Sequence, residues 1–269
     1  MIQFSSALDQ YQTQGYCAPL RVMDRAEAQR YRDALEDCER ARGRPLTRDE
    51  KSKPHLLFRW ASELVRHPVV LDAVETIVGP DVLVWDSTLF TKEAGGKEHL
   101  TWHQDLRYWG LEPGDQVVTA WIALSPSNRA SGCMRVVPSD RRPDLLPHKD
   151  TYTENNLLSR GQIVDAEVKD EDIVDIVLTP GEMSLHDVYI IHGSEPNLSD
   201  DRRLGFGVRY FPTSVRQRAK LRDSALLVRG ADRFGHFDLE SEPEEFESGK
   251  AYEMHDELRK RRRALQASL

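Results

Sequence analysis

The chain has 269 residues, 39% hydrophobic and 30% charged, with a formal net charge of −8. That length suits one sizeable domain, and the acidic balance argues against a general nucleic-acid binder, which sets clustered Lys and Arg against phosphate. Neither an apolar run of membrane-spanning length nor a signal-peptide core is visible, and Cys17, Cys38 and Cys133 lack C-x-x-C spacing. A cytoplasmic chain with reduced thiols is therefore expected, without membrane contact, disulfide scaffold or zinc site.

Residues 1–80 read as helical. Tyr31, Ala34, Leu35 and Cys38 recur at helical spacing after Asp24, a residue suited to an N-cap. Val70, Leu71, Val74, Ile77 and Val78 form a second apolar face that stops at Gly79-Pro80. Six strand-like runs then follow within a core of residues 82–212: Val82 to Phe90, Val117 to Leu124, Cys133 to Val137, Ile173 to Leu178, Met183 to His192 and Leu204 to Phe211. Such a series suits a sandwich or a roll with helices outside. Residues 138–172 are polar and too long for a turn, so they read equally as a lid or as a solvated excursion. Residues 213–269 read as a helical extension of the same domain. Its end is first acidic, at Glu240, Glu242, Glu244, Glu245 and Glu247, then basic from Arg259 to Arg263, which predicts an exposed, solvated terminal helix.

The chemistry concentrates in Trp102-His103-Gln104-Asp105 and, far downstream, His192-Gly193-Ser194. Two imidazoles and one carboxylate can occupy one face of Fe(II) and leave positions open for a co-substrate and dioxygen. On an extended segment His103 and Asp105, two apart, point the same way. His192 ends an apolar run and would have to lie beside them on a neighbouring strand, as in a barrel. An H-x-D tripeptide alone is a weak signal. His186 and Asp187 form a rival pair, with His186 sharing the strand parity of His192.

These segments, together with Ala120-Trp121-Ile122-Ala123-Leu124, Ser131-Gly132-Cys133-Met134-Arg135-Val136-Val137-Pro138, the continuation Glu195-Pro196-Asn197-Leu198-Ser199 and Arg203, resemble the phytanoyl-CoA dioxygenase family over about residues 82–212. The resemblance implies a mainly β fold with flanking helices, the double-stranded β-helix (a cupin-like jelly roll). It implies iron held by His103, Asp105 and His192, with 2-oxoglutarate and dioxygen as co-substrates. Arg203 would pair with the distal carboxylate of 2-oxoglutarate and Ser194 would support it, while Gln104, Trp121, Gly132 and Asn197 match positions near the metal and co-substrate. Trp121 would wall the pocket and Gly132 would let backbone come close. Halogenases related to the family replace the carboxylate ligand with a small residue, so Asp105 implies hydroxylation.

Arg202 competes with Arg203, but neighbours on a strand face opposite ways and the family spacing selects Arg203. Arg107, Tyr108 and Trp109 follow the metal motif and could line a substrate entrance, the aromatic pair for a cationic amine and Arg107 for an anion. Lys92 could touch the co-substrate or a substrate acid, and Arg209 shares the parity of Arg203. The leading reading is a hydroxylase of a small polar metabolite. An acyl-thioester substrate would be favoured by a basic surface from Arg129, Arg135, Arg141 and Arg142. A non-catalytic cupin-like binder, or a metal-dependent hydrolase that would not need Arg203, stands as the competing class.

Overall fold

The computed structural model describes residues 2–139, 144–158 and 160–266. The α-helices are α1 (Ile2–Gln14), α2 (Arg25–Arg42), α3 (Arg59–Val65), α4 (Pro68–Val78) and α5 (Gly249–Gln266). The strands are β1 (Tyr16–Arg21), β2 (Val82–Lys92), β3 (Leu100–His103), β4 (Leu111–Glu112), β5 (Val118–Ala123), β6 (Met134–Val137), β7 (His148–Lys149), β8 (Ile163–Val164), β9 (Val174–Ile176), β10 (Glu182–Asp187), β11 (Ile191–Ser194), β12 (Arg203–Pro212), β13 (Arg216–Gln217), β14 (Ser224–Arg229) and β15 (Asp238–Leu239). A seven-stranded sheet runs in the order β1-β10-β5-β12-β2-β14-β15, and a four-stranded sheet in the order β3-β11-β6-β9.

The chain divides into two compact units, one of Met1–Arg32, Phe90–Arg107 and Trp121–Phe206, the other of Asp33–Leu89, Tyr108–Ala120 and Gly207–Leu269. The four-stranded sheet belongs wholly to the first. There Tyr16, Trp121, Ala123, Met134, Val136, Ile176, Leu178 and Ile190 close one core between the residues of both sheets. Burying such a set removes apolar area from water, worth ~25 cal/mol per Å².

Local signals were met where local physics decides. Asp24 Oδ1 accepts the Glu27 N–H at 2.7 Å and caps α2, and α4 stops at Gly79, whose φ of 84° suits only glycine comfortably. The run Met183 to His192, however, is not one strand. Asp187 breaks it: its Oδ1 accepts the Tyr189 N–H at 2.8 Å and its carbonyl accepts the Ile190 N–H at 3.2 Å. An Asx turn therefore divides β10 from β11, and the two join different sheets.

Both flanks of the 82–212 core also lend strands to the large sheet: β1 from the helical first part and β14 and β15 from the last part. The expectation of a purely helical extension at 213–269 is corrected accordingly. Nor is α5 a solvated helix, since Ala251, His255, Arg262 and Leu265 form a buried face at helical spacing. Its basic run is matched by acids within the second unit: Arg259 and Arg263 with Asp49, Arg261 with Asp238, Arg262 with Asp223, and Lys260 with Asp256. Among the described residues no helix is long and apolar enough to cross a membrane.

Upstream of α5, the Glu240 side chain is buried rather than exposed. Its carboxylate pairs with the buried Lys53 ammonium and accepts the Ser224 hydroxyl at 2.7 Å. Burial by itself would raise this carboxyl, yet the Lys53 charge brings it down to about 2. The pair thus stabilises the fold fully above the ordinary carboxylate range, and its contribution is lost as pH falls toward the lowered value. Glu240→Gln should cost about 3–5 kcal/mol, read from the urea midpoint at neutral pH, because it strands the Lys53 charge. The double variant Lys53→Met/Glu240→Leu should recover most of that loss.

Candidate active site

The site grows from a cross-strand pair. β3 and β11 run antiparallel with His103 opposite His192, and the two rings lie 4.1 Å apart between centroids. The chain leaves β3 at Gln104 and enters a 3-10 turn, Asp105–Tyr108. Asp105 therefore opens a turn rather than continuing the strand, as alternation alone had suggested. The turn still carries its carboxylate back to the imidazoles. Asp105 Oδ1 lies 3.5 Å from His103 Nε2 and 3.9 Å from His192 Nε2.

Each imidazole is oriented by its other nitrogen. His103 Nδ1 lies 2.8 Å from the Thr101 carbonyl and His192 Nδ1 3.1 Å from the Ile190 carbonyl. A carbonyl only accepts, so both Nδ1 atoms carry the proton and both Nε2 lone pairs face Asp105. Burial, reinforced by the neighbouring His103, holds His192 well below its ordinary value and keeps it in the neutral form that ligates metals. The three donor atoms lie within 4.8 Å of one another, and this is the one such His/Cys/Asp/Glu group among the described residues. A divalent ion at bonds of ~2.1 Å needs donors about 3 Å apart, so the set fits a metal after a slight contraction. His186 stands on β10, its ring 5.1 Å from that of His192, and does not belong to the group.

A second feature of the same unit is a buried cluster of basic side chains. Arg203, 1% exposed, donates from Nη1 to the Gly132 carbonyl at 2.7 Å, and its guanidinium carbon lies 5.2 Å from the Trp121 ring centroid. Its Nε has no hydrogen-bond partner, and no carboxylate lies within ion-pair distance among the described residues. Lys92 donates to the Ser194 hydroxyl at 2.6 Å, to the same Gly132 carbonyl at 3.3 Å and to the Glu195 carbonyl. Burial pushes Arg203 down to about 10. Burial, then the Arg203 charge, pushes Lys92 down to about 6. A buried guanidinium beside a buried amine, with no carboxylate at ion-pair distance among the described residues, is costly to keep charged, and a carboxylate ligand fits what the two lack.

Ser194 follows His192 by two on β11, so the pocket and the donor set share one strand face. Gly132 is constrained twice: its φ is +66°, and a Cβ there would run into the carbonyls of Glu195 and Pro196. Asn197 works elsewhere. Its amide donates to the carbonyls of Lys92 and Asp201, and its oxygen accepts from Ser199, which clamps the loop before β12. Gln104 is buried and turned toward residues 144–148 and Tyr189. Arg202 is spent on Glu93 at 2.9 Å.

Of the residues expected at a substrate entrance, Arg107 is exposed and only the backbone of Tyr108 is described. Trp109 belongs to the second unit, 5.2 Å from Trp85 and 5.6 Å from the Arg209 guanidinium carbon. Sequence reasoning missed His148, whose Nε2 accepts the Gln104 N–H at 3.0 Å. No periodicity marks a residue that far along the chain. Arg129 and Arg135 are engaged by Asp175, and Arg135 also by Glu195, while Arg141 and Arg142 lie outside the described residues.

The family model "Phytanoyl-CoA dioxygenase (PhyH)" matches residues 11–205. The chain is 28% identical over 217 residues to the peroxisomal phytanoyl-CoA dioxygenase of Bos taurus, covering 72% of this chain and 64% of the bovine one. It is 30% identical over 166 residues to the 1-deoxypentalenic acid 11-beta-hydroxylase of Streptomyces arenae, covering 56% and 57% respectively. The chain thus spans less than two thirds of the length of either relative. Among solved structures it resembles the apo form of the non-heme monooxygenase ThoJ, with a TM-score of 0.85, 32% identity and 96% of each chain covered. The fold is the cupin-like jelly roll, mainly β with flanking helices. The chain belongs to the phytanoyl-CoA dioxygenase family of Fe(II)- and 2-oxoglutarate-dependent oxygenases.

One packing contact tests the pocket wall without any ligand. Gly205 on β12 faces Trp121, and a Cβ there would fall inside the indole. Gly205→Ala should displace the ring and cost roughly 1–3 kcal/mol, seen as a lower melting temperature with an altered tryptophan emission.

Proposed function

We propose that this chain is an Fe(II)- and 2-oxoglutarate-dependent dioxygenase that hydroxylates a small polar metabolite, such as an amino acid, an organophosphonate, a quaternary amine or a natural-product intermediate. The observation that carries this reading is a buried two-histidine, one-carboxylate donor set in the same unit as the buried Arg203 guanidinium and Lys92 amine, neither of which has a carboxylate at ion-pair distance among the described residues. In this assignment His103, Asp105 and His192 hold the iron through Nε2, a carboxylate oxygen and Nε2. Bound iron, with 2-oxoglutarate and dioxygen, supplies oxidation of a C–H bond, leaving succinate and carbon dioxide.

The chain's own groups do the holding. Arg203 stays charged at any working pH and presents a planar fork to the distal carboxylate of 2-oxoglutarate. Ser194 supports the same carboxylate, Lys92 supplies the second positive charge, and Trp121 walls the stem. Gly132 holds both cations through one carbonyl, so their heads are placed before the anion arrives. Asp105 keeps a carboxylate where a halide would need room, which supports hydroxylation over halogenation.

A small substrate is supported over a coenzyme A or carrier-protein thioester by the state of the basic residues. Arg135, which would have to greet a phosphorylated tail, is already matched by Asp175 at 3.3 Å and Glu195 at 3.2 Å. The Streptomyces arenae relative is named for an acid, whereas the bovine one is named for a coenzyme A compound. Succinate formation with a panel of both substrate classes separates the two, and turnover confined to thioesters would reverse this choice.

The assignment is tested by anaerobic titration of metal-free protein with Fe(II) and then 2-oxoglutarate, following the weak visible band of a chelated keto acid. The band should appear in the wild type, vanish in Asp105→Ala and need far more 2-oxoglutarate in Arg203→Ala. Folded, iron-loaded wild type without a band would move the weight to the hydrolase or binding-protein readings.

Lys92 adds a pH signature. Its pKa of about 6 makes it largely neutral above neutrality, and an incoming dianion raises that value again. At pH 7.5 binding should therefore take up a proton, so that calorimetric enthalpies in phosphate and Tris differ. The difference should disappear in Lys92→Met.

A further inference from the structure

We propose that Gln104 and His148 are positioning residues that set the geometry of the donor set, an inference that rests on the metal assignment above. Gln104 lies between His103 and Asp105, so rotation of its two peptide planes moves both donors. At this point the chain has left β3 and not yet entered the 3-10 turn, and neither ladder nor helix holds the Gln104 N–H. A buried amide left without a partner costs about 1–3 kcal/mol. Here the partner is an imidazole: the Gln104 N–H donates to His148 Nε2 at 3.0 Å. His148 Nδ1 in turn lies 2.9 Å from the Leu146 carbonyl, which puts the proton on Nδ1 and leaves Nε2 free to accept.

The Gln104 side chain completes the arrangement. Its amide donates to the Asp144 carbonyl at 3.1 Å and to the Tyr189 carbonyl at 2.7 Å, and its oxygen accepts the Leu146 N–H at 2.8 Å. Tyr189 lies in the turn that leads into β11 and His192, and the same turn accepts the Leu106 N–H through the Val188 carbonyl at 3.2 Å. One fully buried residue thus ties the segment carrying His103 and Asp105 to the segment carrying His192. The segment 144–148 acts as the brace. It is held in turn by the short ladder of β7 with β8, His148 opposite Val164. Metal sites tolerate ligand displacements of only about 0.5 Å, so the placement of the peptide planes on either side of Gln104 matters to both donors.

The test compares His148→Leu, His148→Gln and Gln104→Leu with the wild type in the anaerobic Fe(II) and 2-oxoglutarate titration, with a thermal melt of each. Losing the acceptor in His148→Leu, or the three amide bonds in Gln104→Leu, should weaken Fe(II) about tenfold or more and shift or abolish the keto-acid band. His148→Gln places a carbonyl oxygen at similar reach and should recover both affinity and band. The proposal is overturned if His148→Leu and Gln104→Leu lower only the melting temperature and leave affinity and band at the wild-type values. It is equally overturned if His148→Gln fails together with His148→Leu, since the imidazole then acts by its bulk. Should Gln104→Leu not fold, the two His148 variants decide. Absence of Fe(II) binding by the wild type sinks the metal assignment and this inference together, whereas normal wild-type binding with indifferent variants sinks this inference alone.

Discussion

The pairing of β3 with β11 is the constraint on which the rest of this site depends. Two strands remote in sequence meet in a register that sets His192 opposite His103, and a slip by one residue would turn one imidazole to the other face of the sheet. β6 holds β11 from its other side, with Val136 opposite His192, so the register is fixed from both edges. The backbone then does a second service. The carbonyls of Thr101 and Ile190, each two residues before its histidine, take the Nδ1 protons and leave the Nε2 lone pairs directed at Asp105. Tautomer and aim follow from main-chain atoms that no side-chain replacement removes.

Charge burial follows two different rules in the two units. In the second, the buried Lys53 has its anion in Glu240, and the cluster serves the fold. In the first, Lys92 and Arg203 share an uncharged carbonyl and have no ion-pair partner among the described residues, an arrangement that makes keeping them charged costly. That contrast, rather than the presence of buried cationic side chains as such, is what supports the co-substrate role proposed for this cluster.

Much of this was legible in the sequence where short-range physics decides. The Asp24 cap, the Gly79 stop and the strand runs before residue 180 are local, whereas the pleat says only that Arg202 and Arg203 face opposite ways and the family spacing was needed to select Arg203. The run from Met183 to His192 misled because Val188 and Ile190 favour strands, while the Asx bond of Asp187 that breaks the run is invisible to hydrophobic pattern. The terminal segment misled for another reason. Its charges read as solvated, but Glu240 and Arg262 have partners in Lys53 and Asp223, far upstream of them in the chain. His148 was missed because a contact between a side chain and a distant backbone N–H has no period and no composition.

Gly132 carries a consequence for how such a site can change over time. Its contribution is a carbonyl oxygen between two cations, seated where the chain must turn with positive φ against the backbone of residues 195 and 196. An acceptor that belongs to the main chain has no alternative side chains to sample. Under the proposed assignment, drift in co-substrate preference passes through Lys92, Arg203 or Ser194, while the oxygen that spaces them stays put. The most constrained atom of the pocket is thus one that a comparison of side chains never registers.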